Sequence, residues 1–116
     1  MENMAAKLER RRDIARRVDA LLGPLPEVTA VYVFGSVAHG HVDERSDVDI
    51  TFVCSPEILS TSKRKDVLSR TGPNWTFDED PGGNPIWDSW DRGWVDGVLV
   101  DSHYQTVSAV SEVLDA

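Results

Sequence analysis

The stretch V-Y-V-F-G-S-V-A-H-G-H-V-D-E-R-S-D-V-D-I-T-F-V, Val31 to Val53, decides the reading of this chain. Its opening continues a run that begins at Val28, V-T-A-V-Y-V-F, whose β-branched and aromatic residues predict a strand ending at Phe34 and covered on both faces. Gly35-Ser36 breaks the run, and Ser36 to His41 suits one helical turn before a polar loop from Val42 to Ser46. From Asp47 to Val53 the pattern alternates: Val48, Ile50 and Phe52 fall on one face, Asp47, Asp49 and Thr51 on the other, which is the period of a strand. Residues two apart on a strand project from the same face, so the two carboxylates stand about 7 Å apart at their roots and can converge on one divalent cation. Burying two like charges side by side without such an ion would be costly. Gly35 lets backbone approach a phosphate, while the amides after it and the Ser36 hydroxyl offer donors to phosphate oxygens. A Gly-Ser turn or a solvated Asp-x-Asp is common in isolation. Together, on successive apolar strands, they describe a site for metal-nucleotide chemistry.

Upstream, Met4, Leu8, Ala15, Val18 and Leu22 recur at helical steps, predicting an amphipathic helix over residues 2 to 22 that Gly23-Pro24 stops. The opposite face carries Lys7, Arg10, Arg11, Arg12, Arg16 and Arg17, read as a solvated surface because it lacks the interleaved aromatics of a nucleic-acid-binding face. Downstream, Ser55-Pro56-Glu57 predicts a helix with Pro in its first position, running to Arg70 and ending at Thr71-Gly72-Pro73. An extended segment and an acidic loop follow from Asn74 to Asn84. Asp96-Gly97 is the signature of a two-residue hairpin, which makes Val98 to Gln105 another strand, and Ser108 to Leu114 reads as a last helix. Nothing around Asp88 and Asp91 looks like strand. Trp75, Trp87, Trp90 and Trp94 read first as core or lid packing. Their alternative is an aromatic and acidic wall, with Asp78, Glu79, Asp80, Asp88 and Asp91, for a sugar or polycationic acceptor.

With 116 residues, 41% hydrophobic and 28% charged, the chain is sized for one ordinary soluble domain. Its single cysteine, Cys54, offers no intrachain bridge and suits a reducing compartment. No apolar run approaches the roughly 18 residues of a membrane span, so no membrane partner and a cytoplasmic location are expected. The net charge is −8, and residues 71 to 116 hold nine acids against Arg92 alone. Binding to duplex DNA through a broad basic face is therefore disfavoured.

Phe34 to Ile50, F-G-S-V-A-H-G-H-V-D-E-R-S-D-V-D-I, resembles the signature of the DNA polymerase beta-like nucleotidyltransferase superfamily: apolar-Gly-Ser, a spacer of about ten, then Asp-x-Asp. The closer likeness is to small bacterial members, the aminoglycoside and lincosamide enzymes and the minimal nucleotidyltransferases of toxin-antitoxin pairs. The resemblance implies an α/β (α+β) nucleotidyltransferase fold, a small mixed sheet flanked by helices, as a single domain over residues 1–116 without the helical C-terminal domain of larger relatives. It also implies two Mg²⁺ ions held by Asp47, Asp49 and a third carboxylate from a later strand. Asp101, in V-L-V-D-S-H-Y, is the candidate, with Asp96 explained instead as a turn residue. These three would be the catalytic and metal-binding residues, and Gly35, Ser36, Arg45 and Ser46 would bind the nucleotide. Relatives commonly carry Arg where this chain has His39, and Arg45 is the candidate to take over that contact. His103 is kept in view because it shares a face with Asp101, whereas His39 and His41 read as loop residues. The activity implied is transfer of a nucleoside monophosphate, AMP from ATP, to a hydroxyl of a small molecule such as an antibiotic. The alternatives are an antitoxin-like enzyme that modifies or binds a helical toxin partner, a homo-oligomer that completes the acceptor site, and a degenerate nucleotide-binding module.

Overall fold

Asn3 opens the first helix: its side-chain oxygen accepts from the Ala6 amide at 2.8 Å, satisfying one of the donors a helix leaves without an internal partner. In the computed structural model, which describes residues 3–34, 47–78 and 88–107, this helix, α1, spans Met4–Leu22 and buries Ile14, Ala15, Val18 and Leu22. The expected stripe is therefore present, with two departures. Met4 is half exposed, and Arg11 is buried and donates to the Lys7 carbonyl at 3.1 Å. Arg11 lies three and four residues before Ile14 and Ala15, so it shares their face and not the solvated one.

Five strands form one mixed sheet in the order β1-β2-β5-β4-β3: β1 Val28–Phe34, β2 Val48–Cys54, β3 Trp75–Thr76, β4 Asp88–Val95 and β5 Val98–Thr106. β1 pairs antiparallel with β2, β2 parallel with β5, and β5 antiparallel with β4, which β3 extends. The expected cover on both faces of β1 is not observed: among the described residues β1 is an edge strand, with Thr29, Ala30 and Tyr32 exposed. An uncharged apolar run can serve a one-sided edge as well as a buried centre, and the run alone does not distinguish them.

One face of the sheet is the core. Val48, Ile50, Phe52 and Cys54 of β2 and Val98, Val100 and Tyr104 of β5 pack there against α1 and a second helix, α2 (Thr61–Leu68), with Phe52 and Tyr104 stacked 5.8 Å apart between ring centres. The alternation read for β2 is thus the observed one. The helix expected from Pro56 begins instead at Thr61, where Ser60 accepts from the Lys63 amide at 3.2 Å. The residues before it are used otherwise: Leu59 is wholly buried, and its carbonyl accepts from Arg64 at 2.7 Å. α2 passes into a 3-10 turn, Ser69–Thr71, before Gly72.

β4 is the strand that the local pattern does not announce. Its core-facing Asp91 is fully buried with Arg64 of α2 (Nε to Oδ2, 3.0 Å), and it also accepts from the Asp78 amide at 3.1 Å. Arg64 donates further to the Asp78 carbonyl at 2.7 Å and lies 4.6 Å over the Tyr104 ring. Two buried charges are tolerable only when paired and fully hydrogen-bonded, and this pair is. The Asp96-Gly97 turn between β4 and β5 is the expected hairpin, with φ of 49° and 78°. Among the described residues no helix is long and apolar enough to cross a membrane. The last helix expected at Ser108 to Leu114 falls outside the described residues.

Candidate active site

The sheet face away from the core carries the carboxylates. Parallel pairing of β2 with β5 makes Asp49 and Asp101 register partners, and antiparallel pairing of β5 with β4 sets Arg92 opposite Asp101. Phe34, the last residue of β1, is the register partner of Asp49. One row across the sheet therefore reads Phe34, Asp49, Asp101, Arg92, with Asp47 two residues before Asp49 at the entrance to β2. Asp101 is buried, while Asp47 and Asp49 are half-buried.

Electrostatics tie the three acids together. Burial, then repulsion from Asp101 and Asp47, raises the Asp49 carboxyl above its ordinary range, and a hydrogen bond to Asp101 adds to the effect while His103 opposes it. Asp47 is raised as well, by burial first and then by Asp101, against Arg92 and Arg11. Arg92 grips Asp101 with two prongs, Nε to Oδ1 at 2.7 Å and Nη2 to Oδ2 at 3.4 Å. That bond and the surrounding acids push the guanidinium further into its charged form. His103 stacks on Trp90 with ring centres 6.5 Å apart, and both Trp90 and Trp94 are about half exposed on this face.

Hard oxygen donors on one face, charged against one another, suit a divalent cation such as Mg²⁺. In the geometry at hand, however, no three His, Cys, Asp or Glu side chains among the described residues are gathered tightly enough to hold a metal ion. Asp101 has the guanidinium as its cation instead.

The sequence-based candidates separate as follows. Asp47, Asp49 and Asp101 come to one face; Asp96 lies at the hairpin, exposed and paired with Arg17 at 2.7 Å. Asp91, set aside beside Asp88 for want of strand pattern, is a structural anion in a strand. Gly35, Ser36, Arg45 and Ser46, with His39, His41 and Trp87, lie outside the described residues. The aromatic wall keeps Trp90 and Trp94 as exposed members, whereas Trp75 packs over Gly93 and stacks on Phe77. Arg92 was not foreseen as a site residue. Its signal in the sequence is that it stands as the single basic residue among nine acids from 71 to 116. Two grooves between α1 and β1, of about 380 and 520 Å³, are lined by none of the three carboxylates.

Compared with known proteins, residues 16–72 match the model of a family described as Polymerase beta, Nucleotidyltransferase. The match runs from the middle of α1 through β1 and β2 to Gly72, so it contains Gly35, Ser36, Asp47 and Asp49 but ends before β4 and β5, which carry Arg92 and Asp101. No curated protein matches the chain.

Proposed function

From the nucleotidyltransferase family match over residues 16–72 we propose that the chain is a member of the DNA polymerase beta-like nucleotidyltransferase superfamily and a Mg²⁺-dependent enzyme that moves AMP from ATP to a hydroxyl of a small-molecule acceptor. The observation that carries the reading is the register of Asp49 with Asp101 on the face that also bears Asp47, where burial and the nearby Asp101 carboxylate raise the cost of ionising Asp47 and Asp49. Asp47, Asp49 and Asp101 would hold the divalent ions, and Gly35, Ser36, Arg45 and Ser46 would bind the nucleotide phosphates. Bound metal supplies neutralisation of the triphosphate charge and activation of the acceptor hydroxyl. The acceptor oxygen forms its bond to the α-phosphorus as the bond to pyrophosphate breaks, and Asp101 takes the hydroxyl proton. Trp90 and Trp94, exposed beside the carboxylate row, offer ring faces to the acceptor.

Calorimetric titration with MgATP, followed by pyrophosphate release over a panel of hydroxyl-bearing antibiotics, tests this reading. Wild type should bind MgATP and release pyrophosphate with at least one acceptor, and Asp101→Asn should remove the release. Equal MgATP binding by wild type and by an Asp47→Asn, Asp49→Asn double variant would refute the assignment.

A further inference from the structure

β4 makes two acid-arginine contacts of opposite kind at neighbouring positions. Asp91 faces the core and is held by Arg64 with both side chains fully buried, in a network that also ties down the carbonyls of Leu59 and Asp78. Arg92 faces outward, and its side chain is 52% exposed while that of Asp101 is 9% exposed. Among the described residues its side-chain hydrogen bonds run to Asp101. The first pair is permanent, because opening it would strand charges in the core. The second opens onto solvent, where an ion pair is cheap to break.

The position of Arg92 is selective. The described strands contain no other Lys or Arg, and the residue that breaks this pattern sits in register with the innermost carboxylate of the cluster. Both oxygens of that carboxylate are engaged by the guanidinium, and among the described residues the three acids that share the face do not form a ready-made group of metal ligands. The Trp90 ring, 5.9 Å from the guanidinium, gives the arginine a second resting place.

We propose that Arg92 is the resident counter-cation of the site: it occupies both oxygens of Asp101 in the metal-free protein and releases them when the site is loaded. Arg92 thereby competes with the divalent ion, so the site is held together by its own charge when empty and opens for an incoming cation. The inference rests on the reading of Asp47, Asp49 and Asp101 as ligands.

Its sign distinguishes it from a positioning role. An arginine that merely aimed Asp101 would, on removal, weaken metal binding; a competitor would strengthen it. Mn²⁺ titration of the nucleotide-free protein, followed by electron paramagnetic resonance, reads this directly. Arg92→Gln should bind Mn²⁺ up to about fivefold more tightly than wild type, the scale expected when a half-exposed ion pair no longer has to be broken before the metal enters. If Arg92→Gln does not fold by circular dichroism, Arg92→Lys, which keeps a cation but gives up the two-pronged grip, should still bind more tightly than wild type. In an Asp101→Asn background most of the gain should vanish. Unchanged or weaker Mn²⁺ binding by a folded Arg92 variant overturns the inference, as does an undiminished gain in the Asp101→Asn background. Failure of the underlying reading looks different: Mn²⁺ binding by wild type would then be absent or indifferent to Asp49→Asn.

Discussion

Replacing Asp49 by Asn should make the metal-free protein more stable while disabling it. The backbones of β2 and β5 are neighbours in a parallel ladder, where strands stand about 4.8 Å apart, so the Asp49 and Asp101 carboxylates repel across roughly 5 Å. At an effective dielectric of about 40 that repulsion is about 1.7 kcal/mol. His103 and the Arg92 pair with Asp101 offset part of it, leaving about 1 kcal/mol to be relieved. Asn keeps the shape and can hydrogen-bond to Asp101, so little packing is lost. For a domain of 116 residues the relief corresponds to about 3 to 5 °C in melting temperature. The assay is calorimetric melting in EDTA and again with Mg²⁺ and ATP: the variant should melt higher in EDTA and gain less from the ligands. A folded variant that melts at or below wild type in EDTA would refute the like-charge account. The pH dependence has a definite sign. A carboxyl whose folded pKa is raised binds its proton more readily in the native state, so its contribution to stability is present below its ordinary value of 3.8 and is lost as pH rises through the raised value. Wild type in EDTA should therefore lose stability relative to Asp49→Asn across that window and run parallel to it above.

Arg64→Met should cost about 3 to 5 kcal/mol in urea unfolding, because it strands Asp91 and leaves the Leu59 and Asp78 carbonyls without their donor; a loss below about 1 kcal/mol would show that the buried pair is not a staple. Gly93→Ala should cost about 1 to 3 kcal/mol and shift tryptophan emission, since a new methyl would overlap the Trp75 ring and force β3 off β4; unchanged emission would speak against that packing. Cys54 is buried and its thiol is pushed up, chiefly by burial, so a thiol-specific disulfide reagent should label it only in denaturant; fast labelling of the folded protein would contradict its place in the core.

What could be read from the sequence was local. The α1 stripe, the alternation of β2 and the Asp96-Gly97 hairpin each follow from periodicity or turn chemistry within a few residues, whereas the place of Asp101 beside β2 is an expectation that only the family resemblance supplies. What escaped depends on distant partners. D-S-W-D-R-G-W-V has a charge on each face, so β4 looks unlike a strand until Arg64, 27 residues before Asp91, is brought against it. Among the described residues β1 likewise pairs on one side alone, with β2, which its own apolar run does not announce. Pro56 is permitted at a helix start, but burial of Leu59 and the Ser60 cap draw the start to Thr61.

The staple in the core and the acids on the open face are linked through register. Side chains alternate along β4, so a slip of one residue against β5 would turn Arg92 into the apolar layer and present Asp91 to Asp49 and Asp101 as one more like charge. Both consequences are unfavourable: an arginine facing the core away from Asp91 has no carboxylate to pair with, and the open face would gain repulsion where it now has a counter-ion. The Arg64–Asp91 pair specifies the observed alternative, because its bonds form only with Asp91 on the helix side. Once Asp91 is fixed there, the pleat obliges Arg92 to meet Asp101. A polar network far from solvent thus sets which cation the carboxylate row holds, and it does so through backbone geometry alone, with no contact between Arg64 and the acids it organises.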